Sequence, residues 1–227
     1  MPKDTFYNLP EAKRERIIEA AIDEFATHSY HQARVTVIAE QAGIAKGSFY
    51  QYFEDKMDLY KHLMELMVEK KMSYLNQDIV KNREKYDFFA LLREIFSSGI
   101  RFAMENPRLL PVGMMLANDK ALYQEIYGEH QDTGAEFFRQ LLEFGKAQGA
   151  LDPAIDLKLA ATMLTGMVFS LTDIIMEDGK LDLDDMKVID QMLYLLENGL
   201  KKKEQRVTKE LGTRFQESET RMKSHKV

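Results

Sequence analysis

Apolar residues recur three and four positions apart along most of the chain, the spacing of helices that each bury one face. Ile17, Ile18, Ala21, Ile22 and Phe25 form the first such face. Pro10, preceded by Asn8 or Leu9, marks the start of that helix, because its fixed φ suits the first helical position. A polar connection follows over 26–34. Val37, Ile38 and Ala42 then outline a helix barely two turns long, with Thr36 as the expected N-cap and Gly43 as its stop. Ile44 falls in the next turn, where a lone apolar residue plugs the angle between two helices. From about Lys46 to Phe53 a second short helix turns Phe49 and Phe53 inward. At about 100° per residue, Gly47 and Gln51 point the opposite way, flanked by Tyr50 on one side and Ser48 and Tyr52 on the other. Asp55 caps a longer helix, with Asp58 at its third position and Leu59, Leu63, Leu66 and Met67 carrying it to about Leu75.

The remaining periodicity predicts helices over 88–105, 107–116, 121–148, 156–177 and 183–203, and no strand, so the fold class is all-α. The first of these ends at Asn106-Pro107, since the residue before a proline is pushed out of helical geometry. Gly128 and Gly134 fall inside the long third one as weak points or sites of close packing, and Gly149 closes it. Each of the last two helices carries two apolar stripes. One helix has Leu157, Ala161, Leu164, Val168, Leu171 and Ile175 beside Leu159, Met163, Met167, Ser170 and Ile174. The other has Met186, Ile189, Leu193, Leu196 and Leu200 beside Val188, Met192 and Leu195. Both stripes of a helix must be buried. One covers its own chain and the other a second copy, which predicts a four-helix homodimer interface with Leu164, Val168, Ile189, Leu193 and Leu196 in it. A monomer with both helices at its centre is the alternative.

The bulk properties narrow the chemistry. The chain has 227 residues, 45% hydrophobic and 30% charged, with a formal net charge of −6 and no cysteine. Disulfides and thiolate metal sites are thereby excluded, and a reducing cytoplasm fits. The opening MPKDTFYNLPEAKRER lacks the apolar core of a signal peptide, and the most apolar run, 159–176, holds too many polar residues to span a membrane. No glycine-rich phosphate loop, HExxH or nucleophile elbow is present. His28 and His31 lack a third ligand nearby and read as solvated loop residues. No catalytic residue, metal or cofactor is therefore expected.

What the short second helix offers is a surface for a DNA major groove. Glycine allows close backbone approach, Gln pairs with adenine, Lys reaches guanine acceptors, and Ser or Tyr hydroxyls bond phosphates. Charge alone does not point that way, because residues 1–56 hold seven basic against nine acidic side chains. A helix-turn-helix, however, needs only a few placed cations. The alternative is a helical interaction module that keeps this scaffold without reading DNA.

Thr36, Ala39, Gly43, the run Lys46-Gly47-Ser48-Phe49-Tyr50, Tyr52-Phe53, Lys56 and Leu59 resemble the N-terminal signature of TetR-type bacterial transcriptional regulators. The resemblance covers about the first sixty residues, with Ala45 where a hydroxyl residue is common and Tyr52 where a histidine is frequent. It implies a helix-turn-helix DNA-binding domain over 1–55 and a helical effector-binding and dimerisation domain over 56–203. By the same resemblance Lys46, Gly47, Tyr50 and Gln51 meet base edges, and Thr36, Ser48, Tyr52 and Lys56 hold phosphates. The implied partners are a palindromic double-stranded operator, a second copy of the chain and a small apolar effector, the protein acting as a repressor. The resemblance also implies an effector pocket, for which Phe96, Met104, Met114, Tyr123, Tyr127, Phe138, Met167 and Leu171 offer an adaptable apolar wall, the alternative being that they are simple core. The tail 204–227 is charged and reads as a frayed helix or disorder.

Overall fold

A computed structural model of the chain describes residues 1–128, 133–176 and 185–200, and its regular elements there are all helical. The tail 204–227 and the side chains of Leu171 and Ile189 lie outside the described residues. The N-terminal part comprises α1 (Asp4–Tyr7), α2 (Glu11–Thr27), α3 (Val35–Gln41), α4 (Lys46–Tyr52) and α5 (Lys56–Ser73). Then follow α6 (Gln77–Lys81), a 3-10 turn (Arg83–Lys85), α7 (Phe88–Glu105), α8 (Leu109–Asn118), α9 (Lys120–Tyr127), α10 (Thr133–Ala147), α11 (Leu157–Met176) and α12 (Asp185–Leu200).

The local reasons for these boundaries differ in part from those read in the sequence. Pro10 stands just before α2 rather than at its first position. Thr36 does not cap α3, which begins a residue earlier with Arg34 in the cap position. The Arg34 N–H donates instead to Oε1 of Glu24 on α2 at 2.8 Å, so a buried carboxylate from a neighbouring helix holds this corner. Gly43 does end α3. At φ +66° it donates to the Glu40 carbonyl at 3.0 Å while Ile44 donates to that of Ala39 at 2.9 Å, the paired bonds of a Schellman motif. At the start of α5 the Asp55 side chain accepts the Asp58 N–H at 2.8 Å, the N-cap expected from the sequence, while Asp58 accepts the N–H of Glu54, one residue before the cap, at 3.0 Å.

The helix expected over 121–148 is two helices. Asp119 caps α9, accepting the Leu122 N–H at 3.0 Å, and Gly128 ends it at φ +93°, a conformation that stops helix propagation. Gly145, in contrast, sits inside α10 against the buried Phe88 ring. A Cβ there would lie 2.4 Å from a ring carbon, so the glycine sets how closely α10 approaches α7.

Two hydrophobic clusters organise the chain. The first gathers Phe6, Ile17, Phe25, Ile38, Phe49, Phe53, Leu59 and Leu63 with Phe102, Leu109, Val112, Leu116 and Leu122. The helix-turn-helix therefore shares one core with the end of α7, with α8 and with α9. The second joins Phe88, Leu92, Phe96, Phe138, Leu142, Ala161, Leu164 and Leu193, drawn from α7, α10, α11 and α12. Two polar ties reinforce the first junction. Arg108 donates to Glu19 Oε2 at 2.6 Å and also bonds Asp23, and His31 Nε2 lies 3.0 Å from Asp119 Oδ2. His31 remains a solvated loop residue, 68% exposed, and also links the α2–α3 loop to α9.

His62 on α5 is buried, edge-on to Phe6 at 5.6 Å and Tyr7 at 6.3 Å. Burial pushes its pKa below the ordinary value, with Glu65 and Asp58 opposing. Below pH of about 6.5 the unfolded chain then binds the proton more readily than the folded one, so stability falls as pH falls through that range. We expect the thermal midpoint of the natural protein to drop relative to that of a His62→Gln variant between about pH 7.5 and about pH 5. A constant difference between the two across that range is the contrary result.

Candidate nucleic-acid interface

With seven residues, α4 is too short to be stable by itself and must be held from outside. Phe49 and Phe53 do most of this. Both are fully buried in the first cluster, with ring centroids 5.3 Å apart. They fix the helix about its axis and turn Lys46, Gly47, Tyr50 and Gln51 to solvent together, with Ser48 half-buried beside them. Thr36 is exposed on α3. At its far end α4 meets α1. The Lys3 N–H donates to the Tyr52 carbonyl at 2.8 Å, Lys3 Nζ to that of Tyr50 at 3.0 Å, and Thr5 Oγ1 to that of Gln51.

Two of these positions suit an anionic partner outside the protomer. Lys46 lies in the first turn of α4, where a cation opposes the helix dipole, so the folded chain gains nothing from it there. At Gly47 an added Cβ would meet nothing within 4 Å, so internal packing does not require glycine. Close approach by something beyond the protomer would.

Two of the expected phosphate ligands are placed differently. Tyr52 is buried, 6.5 Å from the Phe6 ring, and its hydroxyl accepts from Lys13 Nζ at 3.3 Å. The inward turn follows from the helical angle, which sets position 52 beside Phe49 rather than beside Gln51. Lys56 donates to the carbonyls of Tyr30 at 2.5 Å and Ala33 at 2.8 Å and lies 4.6 Å over the Tyr30 ring. Its task is to tie the α2–α3 loop to α5, and burial lowers its pKa from the ordinary value while Glu24 opposes.

The residues assigned to an effector wall divide between the two cores. Phe96 and Phe138 are buried and stacked at 6.0 Å, with Met104 and Met167 half-buried against the same cluster. Tyr123 and Tyr127 pack on the other cluster, their rings 4.9 Å apart, and Met114 is half-buried on α8. An open groove of about 400 Å³ between α5 and α9 is lined by Met64, Val68, Ile126 and Tyr127, with Lys61 and Glu65 among its polar residues.

The expected dimer contacts also require correction. Leu164 is 1% exposed and Leu193 5%, both inside the protomer's second cluster, and Val168 and Leu196 pack half-buried against it. Among the described residues of these two helices, the large apolar side chains left open are Leu159 at 60% and Met163 at 59% on α11, and Tyr194 at 67% and Leu195 at 68% on α12. On α12 the two stripes do not separate cleanly, since Met192 of the second is buried with Leu193 of the first and Tyr194 belongs to neither.

A family model described as bacterial regulatory proteins, tetR family, matches residues 17–63, the stretch from α2 into α5. The crystal structure of a TetR family transcriptional regulator from Chloroflexus aurantiacus is 33% identical, covering 89% of this chain and 100% of that one, with a TM-score of 0.71. The chain belongs to the TetR family. This TetR-family chain is a DNA-binding transcriptional regulator. It is also similar to the fatty acid metabolism regulator protein of Bacillus subtilis, 26% identical over 84% of this chain and 97% of the relative. A structure of the Bacillus subtilis regulator FadR in complex with stearoyl-CoA is 28% identical, covers 82% of this chain and 98% of that one, and has a TM-score of 0.67. Among the described residues no helix is long and apolar enough to cross a membrane.

The open space at Gly47 gives a prediction with two opposite signs. Gly47→Ala is expected to stabilise the fold by up to about 1 kcal/mol through helix propensity, while specific DNA affinity falls roughly tenfold. Thermal melts and titration with an operator duplex check the two halves, and retained affinity would remove Gly47 from the interface.

Proposed function

We propose that this regulator represses transcription by binding a palindromic operator as a homodimer, each protomer laying α4 in the major groove, and that an acyl thioester releases it. The observation that carries the reading is the outer face of α4, where Lys46, Gly47, Tyr50 and Gln51 stand exposed together on a helix locked by Phe49 and Phe53. Lys46 reaches the guanine N7 and O6 acceptors, Gln51 pairs with the N6 and N7 edge of adenine, and the Tyr50 hydroxyl meets the adjoining base or phosphate. Ser48 and Thr36 hold phosphates on either side. A two-fold protein matches a two-fold site, and the open stripe Leu159, Met163, Tyr194 and Leu195 is the surface through which two copies pair.

The effector class is supported by the relative bound to stearoyl-CoA. In this chain the half-buried Met104 and Met167 beside Phe96 and Phe138 are side chains able to repack around an alkyl chain. Such a ligand displaces α7, and α7 continues through Asn106 into α8. Arg108 binds α2 and Asp119 binds the α2–α3 loop, so the displacement reaches the reading head. The physical basis is a continuous packed element that both sites bias.

The test is selection of bound duplexes from a random pool with protein stripped of lipid. The natural protein is expected to enrich a two-fold-symmetric site, and the Lys46→Ala, Tyr50→Ala variant to enrich none while remaining a folded dimer. Leu195→Glu is expected to give a monomer without preference for symmetric sites. Stearoyl-CoA is expected to weaken binding of the selected duplex. A folded natural dimer that enriches nothing would mean that the helix-turn-helix is a scaffold for another partner. Selected binding unaffected by acyl-CoA would remove that effector class alone.

A further inference from the structure

The C-terminal end of a helix leaves its last four carbonyls without a partner in the helix, and a short helix depends on what fills them. In α3 the filling is local, through Gly43 in the left-handed conformation. α4 has no such device, because it leaves through Phe53 in an extended conformation at φ −128° and ψ 146°. Its four final carbonyls are nevertheless all occupied. That of Phe49 accepts the Phe53 N–H at 2.9 Å. The other three face α1, where the Tyr50 carbonyl accepts from Lys3 Nζ at 3.0 Å, that of Gln51 from Thr5 Oγ1, and that of Tyr52 from the Lys3 N–H at 2.8 Å. The Lys3 ammonium also stands at the negative end of the helix dipole.

α1 is itself anchored for this task. Phe6 is 2% exposed, with its ring 4.9 Å from that of Phe53 and 5.6 Å from that of His62. Behind it, Arg14 Nη1 on α2 donates to the carbonyls of Tyr7 at 2.8 Å and Leu9 at 2.9 Å, fixing the link between α1 and α2. Two of the residues whose carbonyls α1 grips, Tyr50 and Gln51, are those whose side chains face outward.

We propose that α1 is the C-terminal cap of the reading helix, supplied from a distant part of the chain, and that Lys3 and Thr5 are positioning residues for sequence readout. The effect on readout rests on α4 being the helix that reads DNA; the capping itself does not. Without the two side chains, the last turn of α4 frays, and Tyr50 and Gln51 lose their fixed angle to the bases. Nonspecific binding, which depends on phosphate charge, is preserved.

The test is the variant Lys3→Met, Thr5→Val, which removes the ammonium and the hydroxyl donor while keeping side-chain volume. Hydrogen exchange at the amides of residues 49–53 is expected to quicken at least tenfold. Affinity for the selected duplex is expected to fall about tenfold, with affinity for random DNA, the salt slope of binding and the thermal midpoint almost unchanged. Thr5→Ser should behave as the natural protein. Unchanged exchange at 49–53 would overturn the cap, and so would an equal loss on selected and random DNA with a salt slope reduced by about one, which marks Lys3 as a phosphate contact instead. Thr5→Val alone, read by the same exchange measurement, decides the matter if the double variant fails to fold. Exchange needs no DNA, so failure of the natural protein to select an operator would strike the DNA reading and leave the cap to be judged separately.

Discussion

A helix of seven residues has almost no stability of its own, yet the face of α4 must be presented at a fixed angle for DNA reading to work. The contact that meets this constraint is burial of Phe49 and Phe53, both without measurable exposure, in a cluster that extends well beyond the helix-turn-helix. Rotational freedom about the α4 axis would bring one of these rings into water, at a cost of about 1.5–3 kcal/mol for a fully buried side chain of this size. The α1 bonds fix the far end, the Gly43 turn the near end, and the outward side chains follow from both.

Because that cluster also takes in Phe102, Leu109, Val112, Leu116 and Leu122, the core does not divide where the helix-turn-helix ends. Movement in α7 or α8 therefore cannot be absorbed at a loose linker and reaches the packing that orients α4. The exposed pairs Arg108 with Glu19 and Asp23, and His31 with Asp119, add modest energy by themselves. Their value is in register, since they tie the ends of α8 and α9 to α2 and its following loop.

Features governed by neighbours in sequence were readable from it. The inward pair Phe49 and Phe53, the outward Gly47 and Gln51, the stop at Gly43 and the cap at Asp55 all rest on spacing within a turn or two. What was missed was decided across space. Glu24 replaces Thr36 at the start of α3, Lys56 turns to loop carbonyls that precede it by more than twenty positions, and four-residue α1 is too short to show a period. The two stripes of α11 are similarly apolar, so periodicity finds both without saying which one α10 covers. Only the packed fold shows Leu164 inside and Leu159 with Met163 outside. A glycine at position 128 signals a weak point in a helix, but its positive φ, and hence the end of α9, is a property of the folded backbone.

The charge distribution gives a reason for the proposed reading face and the proposed dimer stripe to act together. Residues 1–56 carry seven basic and nine acidic side chains, and Lys56 is already committed to loop carbonyls. A single protomer thus neutralises few phosphates, and affinity depends on how many are neutralised together. Joining two protomers makes the second contact intramolecular, multiplying affinity without a new contact, but only when both reading helices fit their half-sites at once. Small changes in the angle between protomers then separate strong binding from weak binding. In the proposed dimer, whose residues 1–56 hold only seven basic side chains, such a change would release DNA without altering any residue that touches it.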